Sequence, residues 1–297
     1  MLSIIIVNWK SVDYLKVCVT SIFKYISQVD FEVIIADNDS GDNLDQFKNQ
    51  EKITLLELDK NYGFGKANNI AFEKARGENI LFLNPDTEFV DSSLEDLLEY
   101  QNQNKDIGII GCKILNSDGS VQDSVRTFPT LSSHILILLK LHRILSNSSS
   151  INKYLMKSFD YNNFSEVDQV MGAFMLTTKN IFEKLGGFDE NYFIWYEEVD
   201  LCKNAINNGF KVVYNPIAQI KHHYSQSFKN ERRLKKQMVL NKSMRYYFRK
   251  NVSLISFFII TLFSGISLLI TLGVKLIFRE KVVIDKKHNE HLNNSKL

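Results

Sequence analysis

The sequence predicts an α/β fold, a mainly parallel sheet with helices on both faces, followed by a hydrophobic helix near the C-terminus. Three observations carry this. Short apolar, β-branched runs alternate with amphipathic stripes over the first 115 residues, four of those runs end in Asn or Asp, and residues 252–274 form 23 positions without a charge. With 297 residues, 44% hydrophobic and 24% charged, the chain can build one large or two modest domains around a sizeable core.

Strand-like runs lie at 2–7, 31–36, 53–58, 80–83 and 107–114. Between the first two, Leu15, Cys18, Val19, Ile22, Phe23 and Ile26 trace one helical face. Ala67, Ile70, Ala71 and Ala75 do so after the third run, and Leu94, Leu97 and Leu98 after the fourth. Such alternation builds a parallel sheet through crossover connections. The opening MLSIIIVNWKS has no basic region before its apolar run, so a strand is expected there, not a signal peptide. Residues 134–145, HILILLKLHRIL, suit a flap over a site, a lipid-meeting surface or a core helix. Beyond them, 170–177 reads as a strand, 181–185 as a helical turn, 201–208 as a helix closed by Gly209, and 211–214 as a final strand.

A net charge of +2 implies no nucleic-acid partner, but its distribution is uneven. Nine cations (Lys229, Arg232, Arg233, Lys235, Lys236, Lys242, Arg245, Arg249 and Lys250) and one acid, Glu231, fall within 229–250. The uncharged segment 252–274 follows, before Lys275 and Arg279, and leaves 275–297 as a polar tail. It is long enough to cross a bilayer, while its six Ser and Thr also allow an in-plane or hairpin arrangement. Three scattered cysteines, Cys18, Cys112 and Cys202, argue against a disulfide framework and a zinc site.

The chemistry concentrates at the polar strand ends: Asn8, Asp37-Asn38-Asp39, Asp59 and Asn84-Pro85-Asp86. Open α/β sheets bind ligands beyond the carboxyl ends of their strands, although any one of these residues could be an ordinary turn or cap. Asp37 suits a base or ribose hydroxyl, and Asp86 a hard cation such as Mg²⁺ or Mn²⁺, which takes one or two carboxylates plus phosphate oxygens. One of His222 and His223 could complete that site. In NYGFGKANN, Asn61, Gly63, Gly65, Asn68 and Asn69 open a helix whose amides, with Lys66, could face phosphates. In 186–201, GGFDENYFIWYEEVDL, five carboxylates (Asp189, Glu190, Glu197, Glu198 and Asp200) stand among Phe188, Tyr192, Phe193, Trp195 and Tyr196. Carboxylates crowded beside rings need a compensating cation, proton or donor, so this stretch reads as the wall of a site for a flat, hydroxyl-rich ligand.

With SIIIVNW, IIADNDSGD, NYGFGKANN, LNPDT, MGAFMLTTKNIFEKLGGFDE, YEEVDLC and NPIAQIKHH in that order, residues 2–248 resemble the inverting nucleotide-sugar glycosyltransferases of family 2, with the GT-A fold. The chain is most similar to rhamnosyltransferase-like members of bacterial surface-polysaccharide pathways. The resemblance implies a nucleotide-binding half at 1–115 and an acceptor and catalytic half at 116–228. It implies that Asn8, Asp37, Asn38, Lys66, Asn68 and Asn84 hold the donor nucleotide and that Asp86 and His222 hold the metal. Asp189, Trp195 and Tyr196 would meet the sugar or acceptor, and the general base would come from Glu197, Glu198 and Asp200. Two residues depart from the pattern: Asn84 replaces the first acid of the metal motif, and Glu198 stands where Asp is commoner. The activity implied is transfer of a sugar, best L-rhamnose from dTDP-rhamnose, to a lipid-linked saccharide at the cytoplasmic face of the cell membrane, where the basic stretch would meet an anionic surface. A UDP-hexose donor, a silent sugar-nucleotide-binding subunit and a membrane scaffold are the competing readings.

Overall fold

A computed structural model describes residues 1–145, 148–223 and 233–273. Lys229, Glu231, Arg232, Val274, Lys275, Arg279 and the polar tail lie outside the described residues. Chain contacts group Met1–Thr130 with 149–223 as one compact unit, and 131–145 and Ser148 with 233–273 as another.

The first unit holds strands β1 Leu2–Asn8, β2 Phe31–Asp37, β3 Ile53–Glu57, β4 Asn79–Leu83, β5 Thr87–Phe89 and β6 Ile107–Leu115. Five more follow: β7 Val125–Arg126, β8 Ser165–Glu166, β9 Gln169–Val170, β10 Phe174–Thr178 and β11 Lys211–His222. The main sheet runs β3-β2-β1-β4-β10-β6-β11-β5, with β8 on β11, while β7 and β9 pair separately. The β1–β4 quartet is parallel throughout, as the alternation predicts. Every residue of β1 is buried, so its two faces carry different cores. Leu2, Ile4 and Ile6 join Leu15, Cys18 and Ile22 of α1 (Val12–Tyr25) and Leu94, Leu97 and Leu98 of α3 (Leu94–Gln103). Ile5 and Val7 join Ala67 and Ala71 of α2 (Phe64–Phe72) on the other side. Burial on both faces is why these strands read as unbroken apolar runs rather than alternating ones.

Three features depart from the sequence expectation. The strand expected at 170–177 is broken at 171–173, and β10 enters antiparallel between β4 and β6. The final strand does not stop at Tyr214. It passes a register shift between Asn215 and Gln219, where Pro216 needs no ladder partner, and continues to His222. The helix expected at 201–208 begins four residues earlier, as α7 Glu197–Asn207. Helices α5 Ser149–Tyr154 and α6 Lys179–Leu185 complete this unit.

The second unit contains α4 Leu131–Leu138, α8 Arg233–Asn251 and a further helix, α9, at Leu254–Gly273. Residues 134–145, which the resemblance keeps inside the catalytic half, belong here. The His134 ring packs 5.4 Å from that of Phe248, and Lys140 donates to Gln237. α8 and α9 are joined by 252–253, and Asn241 Nδ2 donates to Ser264 O at 3.0 Å, which pairs them side by side.

Candidate active site

At the carboxyl ends of β1, β2 and β4 a cavity of about 300 Å³ opens, lined among others by Trp9, Asn38, Asn84, Asp86, Gly172, Trp195, Glu197, Glu198 and His222. Its floor is set by strand pairing. β11 runs antiparallel to β5 with His222 opposite Thr87, and His223 N donates to Asp86 O at 2.8 Å. The His222 ring is thereby held with Nε2 3.3 Å from Asp86 Oδ1, and both side chains are buried. Gln122 Oε1 lies 2.7 Å from His222 Nδ1 and orients the ring from behind. Nothing in the sequence marks Gln122, because it lies 100 positions from the histidine it holds.

The opposite wall is the turn into α7. Trp195 and Tyr196 both adopt left-handed backbone, φ 66° and 76°, a conformation that costs on the order of 1–3 kcal/mol per non-glycine residue and clusters at functional sites. The turn places Glu197 and Glu198 in the first helical turn, where backbone N–H groups and the helix dipole favour a carboxylate. Burial works against them. It pushes Glu197 far above the ordinary carboxylate range, with the Glu198 charge adding to the effect. Glu198 is also raised by burial, partly offset by backbone N–H groups around it. Glu197 Oε2 and Glu198 Oε2 are enclosed and, among the described residues, have no hydrogen-bond partner. Glu32, at the far end of the sheet, shows the contrast. Burial raises it too, but donors from Ser3 and Arg76 prevail and leave it below its ordinary value. Glu32 is satisfied by its donors, whereas each glutamate of the cavity pair keeps one oxygen unpartnered among the described residues.

Other residues expected at the site are placed beside it. Asn8 is fully buried, and its amide spends its donors on Asp37 (3.0 Å), Ser40 and Asp42, so it orients the strand ends from behind. Asp37 sits at the edge and does not line the cavity. Asn38 lines it, but its amide accepts from Tyr62 N and donates to Gly63 O and Asn61, which pins the NYGFGKANN loop. Asn68 is buried and donates to Phe64 O within its own helix. Lys66 does not enter the cavity. Its ammonium is 2.8 Å from Glu190 Oε2, which raises its pKa. Asp189 accepts from Asn191 in a local turn, and Asp200 accepts from Tyr192 Oη at 3.2 Å. Of the five rings read as a wall, Phe193 and Trp195 line the cavity. Phe188, Tyr192 and Tyr196 are buried instead, Phe188 stacking edge-on to Phe82.

Because the Lys66–Glu190 pair is solvent-accessible, water and salt screen it and it adds little to stability. Lys66→Ala is expected to leave donor KM within about threefold of the parent and the unfolding midpoint close to the parent value. Steady-state kinetics and chemical unfolding check both, and a tenfold rise in KM would return the lysine to the donor site.

The sheet order, with the cavity and the acidic turn at its carboxyl edge, makes a mainly parallel α/β architecture with its candidate site beyond the strand ends, and comparison with known proteins gives the family. The model of the family described as Glycosyl transferase family 2 matches residues 3–186. The chain belongs to that family; the match ends before Glu197, Glu198 and His222. Among curated relatives, the low-salt glycan biosynthesis hexosyltransferase Agl10 of Haloferax volcanii is 28% identical over 208 residues, 69% of this chain and 61% of its own length. The rhamnosyltransferase WbbL of Escherichia coli K12 is 28% identical over 263 residues, 85% of this chain and 94% of its own. An N-acetylglucosaminyl-diphospho-decaprenol L-rhamnosyltransferase of Mycobacterium tuberculosis is 29% identical, covering 66% and 67%. Thus the chain spans most of WbbL but less than two thirds of Agl10. Two solved structures share the GT-A fold at low identity. GalNAc-T7 with UDP, GalNAc and Mn²⁺ has a TM-score of 0.58 at 14% identity, covering 83% of this chain and 47% of its own. TarS 1–349 of S. aureus has a TM-score of 0.52 at 17%, covering 84% and 72%.

Proposed function

We propose that the protein is an inverting, metal-dependent glycosyltransferase, with Glu198 as the general base. One observation carries this reading: Glu197 and Glu198, each with an enclosed oxygen that has no partner among the described residues, line the same cavity as the Asp86–His222 pair. Among the described residues no three His, Cys, Asp or Glu side chains gather as a metal cluster. A carboxylate and an imidazole 3.3 Å apart nevertheless fit a hard cation that keeps waters and takes phosphate oxygens from its substrate. Asp86 and His222 would hold Mg²⁺ or Mn²⁺, which when bound supplies positive charge to a diphosphate leaving group.

The protein groups then divide the work. Asn8 holds Asp37 and Asp42 in position at the strand ends, and Asn38 holds the loop over the nucleoside. Trp195, Phe193 and Trp9 offer faces for a sugar ring and exclude water. Glu198 takes the acceptor hydroxyl proton as that oxygen bonds to the anomeric carbon. The carbon–oxygen bond to the diphosphate breaks on the opposite face, so one displacement inverts the configuration. Between the two glutamates, Glu197 is the more deeply buried, and its burial together with the Glu198 charge favours its protonated form.

L-Rhamnose from dTDP-rhamnose is the donor we favour, supported by the names of WbbL and the mycobacterial relative, and the latter's name supports a lipid-linked saccharide acceptor. α9 runs for 20 residues without a charge and follows a basic helix, which supports action at the cytoplasmic membrane face. The test is a screen of nucleotide sugars on a saccharide-lipid, reading nucleoside diphosphate release and product anomeric configuration. Release is expected with dTDP-rhamnose and Mn²⁺ or Mg²⁺, lost in EDTA and restored by added metal. Turnover unaffected by EDTA would sink the metal assignment, and preference for a UDP-hexose would replace the donor.

A further inference from the structure

We propose that α9 does not span the bilayer but lies in its surface plane, its outward face in the acyl boundary and α8 on the headgroup side. This rests on the membrane reading above and adds how the membrane is met.

α9 is apolar all round, yet its burial is one-sided. Leu254, Ile255, Phe258, Leu262 and Leu269 expose between 63% and 73% of their surface. At about 100° per residue they fall within one sector of about 100°. The opposite side is the buried one, and it carries Ser256, Ile260, Ser264 and Ser267. Small and hydroxylated residues thus face inward while leucines, isoleucine and phenylalanine face out. A water-facing helix would invert that order; helices packed in lipid follow it.

The partner helix decides between spanning and lying flat. α8 carries seven cations and no acid: Arg233, Lys235, Lys236, Lys242, Arg245, Arg249 and Lys250. Its inward face is Gln237, Asn241, Met244 and Phe248, and Lys235, Lys242 and Arg249 are exposed on the other side. The Asn241–Ser264 hydrogen bond sets Lys242 level with the middle of α9. Twenty helical residues rise about 30 Å, the thickness of the hydrocarbon core. Were α9 upright, Lys242 would stand near the bilayer midplane, with Arg245 and Arg249 between it and the interface. Charged side chains at that depth are strongly disfavoured. With α9 in the plane, every cation of α8 reaches anionic headgroups, and the outward leucines enter the acyl layer. The occupant that satisfies both faces is an anionic lipid surface.

Spin labels on full-length Leu254→Cys, Leu262→Cys and Leu269→Cys test this in vesicles of phosphatidylcholine doped with anionic phosphatidylglycerol. The three native cysteines are buried and do not compete for the label. Power saturation with oxygen and a nickel chelate reports depth. The expected result is one shallow depth for all three labels, about 5–10 Å below the phosphates, and a tag after Leu297 that stays protease-accessible on the catalytic side of sealed vesicles. Leu262 much deeper than Leu254, with the tag protected, would overturn the in-plane arrangement and leave the membrane reading standing. Absence of vesicle binding, or labels shielded from both reagents in a concentration-dependent dimer, would overturn both.

Discussion

Glu198→Gln is expected to lower kcat by about 10²–10⁴-fold, the usual worth of a positioned general base, with donor KM close to the parent value. The amide keeps the shape and the helical turn but cannot accept the acceptor proton. In the proposed mechanism the base acts as the ionised carboxylate, and burial raises its pKa above the ordinary 4.5. The acid limb of kcat/KM should therefore lie above 4.5, with activity lost as pH falls through the raised value. Full activity in Glu198→Gln would move the base to Glu197.

The raised carboxyl of Glu197 has a consequence for stability. A carboxyl whose folded pKa exceeds its unfolded value holds its proton more tightly when folded. Its favourable contribution is complete below the unfolded value near 4.5 and is lost as pH rises through the raised folded value. Glu197→Gln removes that loss. Its melting temperature should exceed the parent's at pH 7–8 by a few degrees, at about 2–4 °C per kcal/mol for a domain of this size, and the gain should shrink towards pH 4. An equal gain at both pH values would show that the glutamate is not titrating as its burial demands.

Gly63→Ala should be the most destabilising single methyl on this surface. Gly63 has φ +84°, and an added Cβ would stand 2.0 Å from Phe193 O. That carbonyl also accepts from Phe64 N at 2.8 Å, so the substitution strikes the clamp that holds the Phe193–Trp195 wall against the NYGFGKANN loop. Strain and collision together should cost on the order of 3 kcal/mol. Gly186→Ala, with φ +80° and open space around its Cβ, should cost only about 1 kcal/mol. Chemical unfolding of both variants checks the difference. A Gly63→Ala loss no larger than that of Gly186→Ala would mean that the clamp gives way freely.

Much of the fold is legible because it is local. The β1–β4 runs are apolar throughout since both faces are covered, and α1, α2 and α3 announce themselves by periodicity. The site is legible in part for the same reason, since Asn84, Asp86, Glu197 and Glu198 belong to short segments whose chemistry is visible along the chain. Lys66 misleads because a cation opening a glycine-rich helix looks like a phosphate ligand until Glu190, 124 positions later, is brought to it. The aromatic wall misleads similarly: a ring's type does not say whether it faces the cavity, as Trp195 does, or the core, as Tyr192 does.

By itself the sequence determined the strand–helix alternation, the carboxyl-edge position of the polar residues and the apolarity of 254–273, all properties of residues near one another along the chain. Only the tertiary structure decided which distant groups meet. The continuation of β11 past its register shift brings His222 to Asp86, the left-handed pair Trp195–Tyr196 turns Glu197 and Glu198 into the cavity, and one hydrogen bond from Asn241 sets the cations of α8 beside α9. Each depends on register, backbone handedness or burial, which arise when separate segments pack and which no single segment encodes.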